Sequence, residues 1–130
     1  MDRVYARDTP EEPLAIDGFS LLHAAYGTLA AWVLGFASLG AGTVISIVAL
    51  VAIAWEVAER ALGARVGRLF GIENYEGDSA LNSVADVVVA VGFAVVGTYA
   101  EDPVPLVVGL ALLALGAGWT IQRKKRLDAQ

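Results

Sequence analysis

The chain has no cysteine, a single histidine, four prolines and almost no charge inside its long apolar stretches. Each shortage excludes something. Without cysteine there is no disulfide, no thiolate zinc site and no thiol nucleophile, and the redox compartment is not legible. Nine basic residues face fourteen acidic ones, for a net charge of −5. No basic groove is visible, so no nucleic-acid partner is expected. Among the charged residues, only Glu56 and Asp86 fall within four stretches at 19–39, 40–58, 79–100 and 104–121. Those stretches hold 80 of the 130 residues. Catalytic triads, phosphate-binding loops, dinucleotide fingerprints and the HExxH zinc pattern are absent as well, so these motifs name no catalytic residue and no organic-cofactor site.

What remains is strongly apolar. Hydrophobic residues make up 57% of the chain, fourteen glycines come on top, and mean hydropathy is +0.62. Soluble domains reach about 45–50% apolar only with glycine included. A soluble protein of this size could not bury four such stretches in one core. A helix needs about 20 mostly apolar residues to cross the hydrocarbon. Helix is the form that satisfies the backbone there, and the alternating segments of a barrel are missing. The expected fold is therefore all-α, a membrane bundle of four transmembrane helices in two hairpins. Residues 1–18 form an acidic N-terminal segment, 19–121 the four-span domain and 122–130 a basic tail. Asp2, Asp8, Glu11, Glu12 and Asp17 in the leader speak against a cleaved signal peptide, whose start is short and positive.

Basic residues set the expected topology. They lie at 3–7, 60–68 and 123–126, and none lies in the first or third connection. The positive-inside rule then places both termini and the middle loop in the cytoplasm, for a multi-pass protein of the cell membrane. Within the middle loop, RALGARVGRLF at 60–70 repeats Leu62, Val66, Leu69 and Phe70 at helical spacing. This suggests span two continuing into, or followed by, a short interfacial helix. Glycines at 35, 40, 109, 116 and 118 suit helix packing within the chain or in a homo-oligomer equally well.

Ionisable groups inside spans are costly and mostly face the bundle interior. His23 lies about 6 Å into span one and Asp86 about 10 Å into span three, at 1.5 Å per residue. Glu56 sits within a turn of the end of span two that shares their side. Three helices thus place a titratable group at similar depth. Around them, Asp78, Asn82 and Asp86 form a stripe at four-residue spacing, Glu56, Glu59 and Arg60 share a face, and Tyr26 and Gly27 follow His23 by a turn. Tyr26 could donate to a carboxylate, and Gly27 would let a neighbouring helix come close. Three chemistries suit the set: a divalent metal on His23, Glu56 and Asp86; proton handling by coupled carboxylates and imidazole; and recognition of a lipid headgroup, with Arg60 and Arg65 on a phosphate. A plain interhelical hydrogen-bond network uses the same residues, with Arg60 paired to Glu56.

LHAAYG at 22–27, AWEVAER at 54–60 and GDSALNSVADVVVAVGFAVVG at 77–97 together resemble the VanZ-like and YjdF-like groups of small integral membrane proteins. Where VanZ-like proteins often carry asparagine four residues after the aspartate, this chain has Ala90, a pattern nearer the YjdF-like group. The resemblance implies a multi-span envelope protein, linked in some relatives to glycopeptide tolerance, and points to His23, Glu56, Asp86 and Glu59. The functional expectation is a membrane protein that binds a lipid or amphiphile through a cytoplasmic-side polar pocket. Its rivals are a metal-dependent enzyme acting on a lipid headgroup and a small oligomeric transporter or ion pathway.

Overall fold

The computed structural model describes residues 18–69 and 80–128. Among these residues every regular element is helical: α1 (Gly18–Gly35), α2 (Ala41–Leu69), α3 (Ala80–Tyr99) and α4 (Val104–Asp128). The four apolar stretches each yield one helix, and their ends follow local chemistry. α1 stops at Gly35, four residues short of the apolar run, because residues 36–38 form a turn with Ser38 in the left-handed region (φ 57°). α3 gives way ahead of Pro103. α4 carries Pro105 in its first turn, where the missing N–H costs nothing, and its ladder opens with Val107 N–H donating to Pro103 O at 3.0 Å.

Three helices are long and apolar enough to cross a membrane: α2 over Ala41–Gly63, α3 over Ala80–Tyr99 and α4 over Val104–Gln122. The protein is accordingly membrane-embedded. α1, described from Gly18 and 18 residues long, is not one of these three. It also carries Ser20, His23, Tyr26, Thr28 and Trp32. Its position explains this composition. α1 packs against all three other helices, so it presents protein contacts where they present lipid contacts.

The register is legible from close contacts. A Cβ on Gly27 would lie 2.1 Å from Ala90 O, and one on Gly97 would lie 2.2 Å from Thr28 O. α1 and α3 thus run in the same direction with their backbones nearly touching, which only glycine at these two positions allows. Against α4 the pairs run the other way, Gly18 on Trp119, Gly116 on Leu22 and Gly109 on Leu29. Two of the glycines with an open role, Gly109 and Gly116, therefore serve packing inside the chain. Gly35, Gly40 and Gly118 face open space. The helices alternate up and down around α1.

The buried faces consist of small residues: Ala24, Ala25, Gly27, Thr28 and Ala31 on α1, and Ala90, Ala94 and Gly97 on α3. Toward the far end Ala31, Val44, Val48 and Ala94 close into an apolar core, with Tyr26, Ala30, Leu34 and Ile45 packed around it. Among the described residues no separate interfacial helix stands apart from α2. α2 runs unbroken to Leu69, and the expected loop helix is its continuation.

Candidate functional site

Because α1 and α3 start at the end of the bundle where the membrane-spanning part of α2 finishes, His23, Glu56 and Asp86 meet there. His23 Nε2 lies 3.0 Å from Glu56 Oε1, and His23 Nδ1 lies 3.6 Å from Asp86 Oδ2. One donor atom from each of the three residues can be chosen so that all lie within 4.8 Å of one another. Asp86 is fully buried and Glu56 only 7% exposed.

The surroundings hold these groups in place. His23 Nδ1 is 3.0 Å from the Phe19 carbonyl. A carbonyl can only accept, so Nδ1 carries a proton and the other ring nitrogen faces Glu56. Asp86 Oδ2 accepts from Asn82 Nδ2 at 3.0 Å, and Asp86 Oδ1 accepts from the Ser20 hydroxyl in a short hydrogen bond. Glu56 is treated differently. Its Oε2 is buried and has no hydrogen-bond partner among the described residues. Leaving a polar atom buried and unmatched costs roughly 1–3 kcal/mol, more when it is charged. Glu59 is buried as well, one turn on from Glu56, and the two repel electrostatically. Its side chain hydrogen-bonds to Trp55.

The residues expected around the triad divide. Asn82 belongs to it directly, through Asp86. Arg60 stands at the rim and donates to the Ser83 hydroxyl at 3.4 Å, in place of the expected pairing with Glu56. Tyr26 is a correction. Its hydroxyl donates to the Val48 carbonyl at 3.4 Å and its ring packs on the apolar core, so it serves α1–α2 packing and no carboxylate. Asp78 lies outside the described residues. Ser20 was not anticipated. Its signal was available, since it precedes His23 by three residues and so shares its face, but a lone serine near a helix start is too common to single out.

A groove of about 600 Å³ opens beside the triad, between α2 and α3. Its walls are Ile53, Val57, Val84 and Val88, all exposed on the bundle's surface. Glu56, Arg60 and Ser83 supply its polar side chains. A membrane-facing cleft with apolar walls and a few convergent polar groups is the general form of a small-ligand site. No family model matches the chain, and no curated protein or solved structure matches it.

Proposed function

We propose that the protein binds an amphiphile, a lipid or lipid-like molecule, in the groove between α2 and α3. The acyl part lies along Ile53, Val57, Val84 and Val88. The polar head reaches Arg60, Ser83 and Glu56. The observation that carries this is the groove itself, apolar along its walls and polar where Glu56, Arg60 and Ser83 line it. Arg60 offers a planar set of donors for a phosphate, and Glu56 accepts from a hydroxyl or ammonium group on the same head. Lipid as partner, residence in the cell membrane with both termini cytoplasmic and kinship with the VanZ-like and YjdF-like groups belong to the same proposal. The tight apolar core at the other end favours binding over a conducting path through a single chain.

The test is lipid retention by the purified full chain in mild detergent, read by native mass spectrometry. Wild-type protein is expected to keep a bound amphiphile. Val84→Trp fills the groove from an exposed position and is expected to lose it while keeping the helical content and elution volume of the wild type. A wild type that retains no lipid, or a Val84→Trp variant that retains as much, overturns the proposal.

A further inference from the structure

We propose that His23, Glu56 and Asp86 form a binding site for a divalent first-row transition-metal ion such as Mn²⁺ or Zn²⁺. The site does not depend on the amphiphile proposal.

Four observations converge on it. The donor atoms come from three different helices and still gather within 4.8 Å. Two ligands at right angles around one ion, each about 2.1 Å away, sit about 3.0 Å apart. His23 Nε2 and Glu56 Oε1 show that spacing, at 3.0 Å.

The imidazole is also held as metal-binding histidines commonly are. One ring nitrogen donates to a backbone carbonyl, here Phe19 O at 3.0 Å, which turns the other inward as the ligand. Asp86 is supported in the same way, by Ser20 and Asn82. Each carboxylate oxygen has two acceptor sites, so accepting one hydrogen bond leaves Asp86 Oδ2 able to ligate.

Glu56 supplies the independent sign of a missing partner. It is more than nine-tenths buried, it reaches into the cluster, and its Oε2 finds no hydrogen bond among the described residues.

Charge gives the fourth. Glu56, Glu59 and Asp86 are all buried at this end, and His23 is the one imidazole of the chain. Arg60 lies exposed at the rim. Buried charges need pairing or a metal, and a dication held by the neutral imidazole offsets more of this acidic excess than a single proton on His23 would. One nitrogen and two carboxylate oxygens suit a borderline ion better than calcium, which takes six to eight oxygens.

The experiment uses tag-free full-length protein in detergent, stripped with chelator and titrated with Mn²⁺. Loss of the free-ion paramagnetic resonance signal reports binding, and elemental analysis after equilibration with Mn²⁺ or Zn²⁺ gives the stoichiometry. Wild type is expected to take up one ion per chain. Glu56→Gln keeps the side-chain volume and is expected to weaken binding more than a hundredfold, beyond the roughly 10–100-fold range for disturbing a mere supporting residue. His23→Gln is expected to do the same. Thr43→Ala, exposed near the start of α2, is expected to bind as wild type does. Helical content and elution volume identify any variant that fails to fold, and the wild-type titration then decides alone. A wild type that takes up neither ion overturns the site, as does a folded Glu56→Gln with wild-type affinity. An unchanged Mn²⁺ titration in Val84→Trp separates the fate of this site from that of the lipid groove.

Discussion

The two halves of the bundle are held together by different means. In the half containing Ala31, Val44, Val48 and Ala94, the helices meet through small and β-branched side chains with nothing polar among these four. In the half containing Ser20, His23, Glu56, Asn82 and Asp86, buried contacts are hydrogen bonds and ion pairs. Lipid tails are as apolar as valine, so burying valine gives no hydrophobic gain inside a membrane. Association there depends on close packing and polar contacts. The apolar half uses the first completely, down to backbone contact at Gly97. The polar half uses the second incompletely, since Glu56 keeps an unmatched oxygen. Stability alone would favour matching it or replacing it. The half that retains buried acid without full pairing is the one in which we propose that a ligand binds.

The largest effect is expected where packing is tightest. Gly97→Val places carbon against Thr28 O, where a Cβ alone would lie 2.2 Å away. It should cost about 3 kcal/mol, the upper range for overpacking, since both neighbours are backbone or short side chain. Reversible unfolding in mixed micelles measures it. A cost below that of any polar-half change would show that the apolar half is looser than its geometry. Next comes Asp86→Ala, which strips the acceptor from Ser20 and Asn82 and removes the carboxylate beside His23. About 2 kcal/mol is expected by the same measurement, with Asp86→Asn recovering part of it. No loss would mean the polar half contributes nothing to the fold. The smallest is Tyr26→Phe, which removes one long hydrogen bond to Val48 O and leaves the ring in place. Roughly 0.5 kcal/mol is expected, near the mean for interhelical hydrogen bonds in a membrane. A larger cost would place Tyr26 in the polar network after all.

Much of the fold was legible because the membrane removes alternatives. Once four apolar runs stand in a sequence, helix is the form left to them, and the four helices follow. What hydropathy could not tell is that α1 is surrounded by its neighbours, since it does not separate a helix that faces lipid from one that faces protein. Its shortness at Gly35 depends on one turn, and its serine, histidine and tyrosine are tolerated because α2, α3 and α4 cover them. The triad was legible for a related reason. Depth along a helix follows from residue number, and His23, Glu56 and Asp86 share a depth. Tyr26 was misplaced because depth says nothing about direction around the axis. A residue one turn from His23 can face the same neighbour and still reach a carbonyl instead of a carboxylate.

The sequence by itself determined that the protein is helical, that it is membrane-embedded and that the ionisable groups inside its apolar stretches sit toward one end, because placing polar groups in hydrocarbon is costly. Only the tertiary structure decided that α1 is the central helix, that Gly27 and Gly97 set its distance from α3, that Ser20 completes the Asp86 contacts and that one oxygen of Glu56 is left without a hydrogen bond among the described residues. Those facts depend on rotation and approach between helices, and no property of a single helix encodes them.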